Sequence, residues 1–228
     1  MAMRFPAPLH GWRAFAGEVG TIVLGVLLAL GAQELMQELH WRSEVNQTRG
    51  ALDGELARDL AAFNQRYRNK ACIAERLAEL RRWTAALASG EGMPLKHEIE
   101  EPPYFSIRTA AWEITDGEIA SHIPVKAKLN YAALYDGLRK FDQAKSDESL
   151  AWSTLDEYQD ATRADATDLR KIKRALKDIE DVNTILDPIK GAFDRFSVQL
   201  GIEPQEKLEG ADSPMLMELE KEACSPLL

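Results

Sequence analysis

An apolar segment near the amino end constrains this chain more than any other feature. Ala14–Ala32 (AFAGEVGTIVLGVLLALGA) contains nineteen residues and a single charged side chain, Glu18. As a helix it would be about 28 Å long, close to the hydrocarbon thickness of a bilayer, which is about 30 Å. Its large apolar residues cover every face of such a helix, which disfavours packing against a soluble core through one stripe. We therefore predict a transmembrane helix over residues 14–35.

Two alternatives to an uncleaved span remain open. The strictly uncharged part, Val19–Ala32, has only fourteen residues, a length that also suits a signal-peptide core or a buried helix. Ala29-Leu30-Gly31 offers the small residues that a signal peptidase cleaves after. Against cleavage, the helical pattern continues beyond Ala32 without a break, and Trp12 and Trp41 flank the segment as interfacial aromatic residues do.

The charges on either side of the segment predict its orientation. Arg4 and Arg13 precede it, whereas the acids Glu34, Glu38 and Glu44 follow it. Because basic flanks stay in the cytoplasm, we expect residues 1–13 to be a cytoplasmic stub and residues 36–228 to be exported. In a bacterium this means a single-pass inner-membrane protein with a periplasmic domain.

The exported domain is acidic. The chain has 28 basic and 37 acidic side chains, a net charge of −9. Nucleic-acid binding requires a basic face that neutralises phosphates, so this balance argues against a nucleic-acid partner.

Small residues recur along one face of the predicted span. Gly17, Thr21, Gly25 and Ala29 are four residues apart, a spacing that lets two helix backbones approach closely. Glu18 lies beside this face and would pair with a basic residue of another membrane subunit. The alternatives are that small residues are common in spans and that Glu18 is an interfacial acid at a helix amino terminus. The pattern favours association with a membrane protein partner or with a second copy.

The rest of the chain has helical periodicity and no run of alternating strand residues. We predict an all-α fold, an amino-terminal transmembrane helix followed by an antiparallel bundle of three or four main helices. The sequence also predicts where helices begin, end or bend. We expect a kink at Gly50 and Gly54, a helix end at Ser89–Gly92, a helix start at Pro124, an N-cap at Ser146 or Asp147, a break at Asp187-Pro188, a helix end at Gly201, and a last helix from Ser213-Pro214 to Cys224.

The chain has two cysteines, Cys72 and Cys224. Two are too few for a four-cysteine zinc site, but an exported domain permits one disulfide between them. That bond would join the last helix to the first long helix and close a loop of about 150 residues. The alternative is a pair of free thiols.

No motif predicts a metal, a cofactor or a catalytic centre. The four histidines form no H-E-x-x-H pair, and none has metal-ligand spacing to a cysteine. His97 lies beside Glu98, Glu100 and Glu101, an arrangement more typical of a solvated acidic loop than of a cation site. We predict a protein that is not an enzyme.

Four aromatic residues allow two interpretations. Trp112, Tyr131, Tyr135 and Trp152 are expected to pack in the core, because aromatic residues at helical spacing usually do. A ligand cleft built from the same four side chains is the alternative.

Three motifs carry a resemblance to a known group. Gly17–Leu30 reads G-E-x-G-x-x-x-L-G-V-L-L-A-L, Thr109–Gly117 contains T-A-A-W-E and D-G, and Leu129–Tyr135 reads L-N-Y-A-A-L-Y. In these motifs the chain resembles a loose group of uncharacterised bacterial single-span membrane proteins with a helical extracytoplasmic domain. The resemblance implies an envelope protein and carries over no catalytic residue.

These observations favour a membrane-anchored, non-catalytic accessory or scaffold protein that binds partner membrane proteins through its span and its acidic bundle. The alternative is a periplasmic ligand-sensing bundle that signals through a membrane partner. An enzyme whose cleft carries no motif is a third and weaker interpretation.

Overall fold

The structure, a computed structural model, describes residues 11–115 and 117–228. Within these residues the chain forms seven α-helices and no β-strand, which confirms the predicted all-α class. Their bounds are α1 Trp12–Arg68, α2 Lys70–Ser89, α3 Ala110–Glu113, α4 Gly117–His122, α5 Val125–Asp156, α6 Ala166–Leu200 and α7 Pro214–Ala223.

α1 and α2 are separated by a single residue, Asn69. The Ile73 N–H still donates to the Asn69 carbonyl at 2.9 Å, so the helical path continues across the junction. The predicted kink at Gly50 and Gly54 does not interrupt α1, which runs through both glycines. α2 ends as predicted: Gly90 has φ 74°, in the left-handed region, and its N–H caps the last turn.

The chain divides into two compact units, the first ending at Thr48 and the second comprising Arg49–Leu228. In the described part of the first unit, α1 exposes its large apolar side chains on all sides. The second unit is the helical bundle.

Side-chain pairs fix the directions of the helices in the second unit. Going up α1, Asp53 contacts Tyr131, Phe63 contacts Phe141 and Arg66 contacts Glu148, in that order on α5. α5 therefore runs parallel to α1.

α6 runs the other way. Phe63 packs on Phe193, whereas Lys70, further along, meets Asn183, which comes earlier in α6. α6 is thus antiparallel to both α1–α2 and α5, which agrees with the predicted antiparallel bundle. The parallel pairing of α1 with α5 was not predicted.

The parallel pairing requires a connection that returns along the bundle, and residues 90–124 provide it. Moving down this crossover, Glu101 lies against Lys145, the Arg108 N–H donates to Asp59, and the Ala111 N–H donates to Glu55. Side chains of the neighbouring segments accept from the backbone N–H groups of the crossover: Asp59 and Glu55 of α1, Asp142 of α5 and Gln159. Side chains take this role because no neighbouring strand is present among the described residues.

The predicted cap at Ser146 or Asp147 is wrong, because α5 continues to Asp156. The Ser146 hydroxyl donates to the Asp142 carbonyl one turn earlier, which is a bond inside a helix. The true boundary is the segment 157–165, and Asp165 accepts the Thr167 and Asp168 N–H groups as the N-cap of α6.

The predicted break at Asp187-Pro188 is also wrong. α6 contains Pro188 in its interior and continues to Leu200. Proline removes one backbone bond, but Leu186 and Phe193 are buried on either side, so packing maintains the helix. The predicted stop at Gly201 (φ 74°) and the predicted Ser213 cap of α7 are confirmed.

After α6, the carboxyl-terminal segment packs along α1 and α2. The Gln205 N–H donates to the Ala57 carbonyl, Leu208 packs on Ala61 and Ala62, and Leu227 is fully buried in the core cluster of α2, α5 and α6. This segment therefore follows the direction of the long helices.

Candidate functional site

α1 is the one helix among the described residues that is long and apolar enough to cross a membrane. None of its most apolar window is buried, and Val19, Leu24 and Leu28 are 41–66% exposed. A helix that exposes apolar side chains on every face needs an apolar surrounding, because burial of that surface is favourable.

The predicted span interface lies open on α1. Gly17, Thr21, Gly25 and Ala29 are exposed, and a Cβ placed on either glycine would meet no atom outside its own helix within 4 Å. The Thr21 hydroxyl donates to the Gly17 carbonyl at 3.0 Å, so its polar group is satisfied within the helix. Glu18 is exposed beside this face. The stub residues 1–10, including Arg4, lie outside the described residues.

Cys72 and Cys224 are brought together as a disulfide, with their Cα atoms 5.4 Å apart and a sequence separation of 152 positions. Cys224 is exposed and Cys72 half-buried. The bond fastens the residue after α7 to the first turn of α2.

Arg76 holds the same segment without a covalent bond. Its buried Nη2 atom lies 2.9 Å from the Glu222 carbonyl, 2.8 Å from that of Ala223 and 2.6 Å from that of Ser225. Carbonyls at a helix carboxyl end have no partner within the helix, and a cation near them is favourable. Sequence reasoning missed this cap, since its partners are backbone atoms 146–149 residues away.

The four aromatic residues do not form one cleft. Tyr131, Tyr135 and Trp152 are at most 2% exposed, and Trp112 stacks on Tyr135 with ring centroids 5.1 Å apart. Trp152 belongs to a separate core cluster with Ile73 and Trp83. Tyr131, Tyr135 and Trp152 therefore lie in the bundle interior, whereas Trp112 is half-buried.

Acids of α1 hold these tyrosines and the crossover. Tyr131 donates to Asp53, and Tyr135 donates to Glu55 at 2.9 Å. Burial and these bonds to carboxylates raise the pKa of Tyr131 to about 12 and that of Tyr135 still further. Both phenols are therefore neutral hydrogen-bond donors rather than bases.

Asp59 is a fully buried carboxyl of α1 whose pKa is raised. Burial raises its pKa to about 6, against the lowering effects of the Arg108 N–H and of Arg58. A carboxyl in this range can move protons near neutral pH. However, Oδ2 accepts from the Arg108 N–H at 3.0 Å and Oδ1 from Arg58 at 2.6 Å, so both oxygens are engaged in holding the crossover.

A charged network crosses the bundle interior. Arg66, Lys145 and Glu148 are at most 1% exposed, and Glu148 accepts hydrogen bonds from both cations. Asn183 accepts from Arg66 at 3.3 Å, and Glu101 of the crossover pairs with Lys145 at 3.3 Å. α1, α5, α6 and the crossover thus meet at one set of polar contacts, which sequence reasoning missed.

The histidine–acid loop lies at the edge of a broad cleft. His97 and Glu98 line an open cleft of about 920 Å³ between residues 89–98 and 159–163. Within the described residues no group of three or more histidine, cysteine or acidic side chains is arranged to hold a metal ion.

Comparison with protein-family models, curated proteins and solved structures finds no match to this chain.

Proposed function

We propose that this protein is a single-pass inner-membrane protein with its amino end in the cytoplasm and its helical bundle in the periplasm. In this proposal it acts without catalysis, as an accessory or scaffold protein that binds partner membrane proteins through its span and its bundle. The observation that supports this proposal most directly is that α1 exposes an apolar surface on every face. The same helix continues into the bundle without a break. An envelope location agrees with the resemblance of Gly17–Leu30 to single-span proteins.

The contacts of the bundle favour binding over chemistry. The buried charges Arg66, Lys145 and Glu148 are paired with each other, and the oxygens of Asp59 are engaged by the crossover. Groups used in this way stabilise an arrangement of helices. The Cys72–Cys224 bond supports an oxidising compartment, because structural disulfides persist there.

The small-residue face supports a partner within the membrane. Spans associate by close packing of backbones, since lipid tails are as apolar as leucine and supply no hydrophobic drive. Gly17, Gly25 and Ala29 leave such a path open along α1.

The test is extraction of the tagged full-length protein from membranes. The protein should stay in the membrane fraction through an alkaline carbonate wash and then co-purify with a second chain in mild detergent. Gly25→Leu should lose that chain, because a large side chain blocks close approach. Gly20→Leu is the matched control, since Gly20 is equally open but lies about 120° around the helix from the centre of the face. Release by carbonate would contradict the span, and equal effects of the two variants would contradict the face.

Ligand sensing is the second candidate, favoured by the open cleft of about 920 Å³ between residues 89–98 and 159–163. It predicts that a small molecule from a periplasmic extract raises the unfolding temperature of the purified protein, because a ligand stabilises the state it binds. Substitution of Lys96 and Arg163 in the cleft by Ala should then abolish the increase. No stabilisation by any fraction of the extract would contradict it.

A further inference from the structure

One part of the bundle departs from the acidic character of the chain. Arg170–Lys177, in the first half of α6, has five basic residues among eight and no acid, in a protein whose net charge is −9. Ile172, Ala175 and Leu176 of this segment are buried, so the basic side chains share the outward side of the helix.

This basic segment borders a groove between α2 and α6. The groove has a volume of about 520 Å³. Ala85, Ala88 and Leu176 form its apolar floor, and its sides carry three cations and one carboxylate, namely Arg81, Lys173, Lys177 and Glu180. The alanines lower the surface of α2, which would let a third helix approach both α2 and α6 at an ordinary packing distance.

The cations beside the groove are available to a partner. Lys173 is exposed and makes no ion pair within the part of the chain that the structure describes. Arg81 pairs with Glu180 and Lys177 with Asp181, each at 2.7 Å, but these side chains are 47–62% exposed. Exposed pairs of this kind contribute little and exchange readily for other partners.

We propose that the α2–α6 groove binds an acidic amphipathic helix of a partner protein. Apolar side chains of that helix would cover the floor, and its carboxylates would meet Lys173 and Lys177. The two lysines are four residues apart on α6, which matches carboxylates four residues apart on a facing helix. The inference rests on the proposed function, in which the bundle binds a partner, and it adds the surface and the chemistry of that partner.

The test uses the full-length protein in nanodiscs of zwitterionic lipid. The probe is a labelled synthetic helix of eighteen residues, with leucines on one face and glutamates on both flanks. Binding is measured by fluorescence anisotropy and corrected with empty nanodiscs. A second peptide of the same composition, with its leucines spread around the helix, tests whether the apolar floor is used. Polyglutamate tests for simple charge attraction, and phosphatidylglycerol vesicles test for lipid binding.

The proposal predicts that the amphipathic peptide binds more tightly than the scrambled peptide or polyglutamate. Lys173→Glu/Lys177→Glu should weaken its binding about tenfold or more, because like charges would then face each other. Ala85→Gln should also weaken it by filling the floor. Lys126→Glu/Lys140→Glu is the matched control, since both lysines are exposed on α5, and it should leave binding unchanged.

Three results would overturn the proposal. They are absence of peptide binding, equal binding of the scrambled peptide or polyglutamate, and equal effects of the two lysine pairs. Binding of vesicles without the peptide would assign the basic surface to lipid and would also overturn it. If one of these results occurs while a partner still co-purifies through the span, the groove proposal fails and the proposed function stands.

Discussion

Arg66 and Glu148 form a two-point ion pair inside the bundle. Arg66 Nε lies 3.1 Å from Oε2 and Nη2 lies 2.7 Å from Oε1, and both side chains are at most 1% exposed. Lys145 donates to the same carboxylate at 2.7 Å. One buried anion therefore pairs with two buried cations, and its bonds with Arg66 join α1 to α5.

Glu148→Gln should strongly destabilise the protein. The neutral amide would leave Arg66 and Lys145 with too little negative charge, and removing one partner of a buried pair costs about 3–5 kcal/mol. Urea unfolding of the detergent-solubilised full chain, followed by the fluorescence of buried Trp83 and Trp152, measures the change. Asp136→Asn, which breaks an exposed pair with Arg139, should leave the free energy of unfolding nearly unchanged. Equal effects of the two variants would contradict the buried pairing.

Glu148 and Asp59 should give opposite pH dependences. Burial disfavours ionisation of Glu148, but Lys145 and Arg66 outweigh it and lower its pKa, so its contribution to stability is lost as the pH falls. Burial raises the pKa of Asp59 to about 6, so its contribution is present at acidic pH and is lost as the pH rises through 6.

The variant Asp59→Asn isolates the pH dependence of stability that is due to Asp59. Between pH 4 and pH 6 the wild-type protein should lose about 2 kcal/mol relative to the variant, which is the larger part of the roughly 3 kcal/mol that a pKa shift of about two units represents over the whole titration. Unfolding curves of both proteins at pH 4, 5, 6 and 7 measure the difference. A difference that does not change with pH would show that Asp59 titrates normally.

The buried charges carry a signal in the sequence that hydrophobic periodicity alone does not detect. Asp59 stands three residues after Leu56 and four before Phe63, in the register of the buried stripe of α1. Arg66 follows Phe63 by three residues and precedes Ile73 of α2 by seven, in the same register. Lys145 and Glu148 hold the same register between Phe141 and Trp152 on α5. Searching for charges at core positions would have found the ionic residues, although not their pairing, which depends on α5 lying parallel to α1.

Gly137 of α5 marks a close approach to α6. A Cβ built on it would lie 2.5 Å from Cε1 of Phe193, a ring that is 3% exposed and packs edge-on against Phe63 at 4.9 Å. Because the ring has no room to move, Gly137→Ala should lower stability by about 1–3 kcal/mol. Gly191→Ala on α6 is the matched control, since a Cβ there meets nothing within 4 Å. It should stabilise the helix by up to about 1 kcal/mol. Stabilisation by both alanines would contradict the contact.

Loss of the disulfide should weaken attachment of the carboxyl-terminal segment. Cys72→Ser/Cys224→Ser opens a loop of 152 residues and should lower the free energy of unfolding by about 2–5 kcal/mol. Reductant should lower the unfolding midpoint of the wild type and leave the double variant unchanged. Maleimide labelling of both cysteines in protein isolated without reductant would contradict the bond. Arg76 and Leu227 should still hold the segment, so its helical signal should survive at low denaturant.

The helical class, the apolar helix and the cysteine pair were accessible from sequence because each depends on local pattern or on a small count. Helix boundaries within the bundle were less accessible. Ser146 and Asp147 are residue types that favour an N-cap, yet α5 continues through them to Asp156, with Lys145 and Glu148 on either side packed in the core. The groove between α2 and α6 required the structure, since Ala85 and Lys173 are 88 residues apart in sequence.

The central claim is that the protein acts by binding a membrane partner through α1. Its most direct test is the native mass of the full-length protein extracted in mild detergent, with identification of every chain present. The account predicts a complex of one mass that contains a second chain at fixed stoichiometry, lost in Gly25→Leu and kept in Gly20→Leu. A lone monomer or a lone homodimer of the wild type would contradict the accessory role.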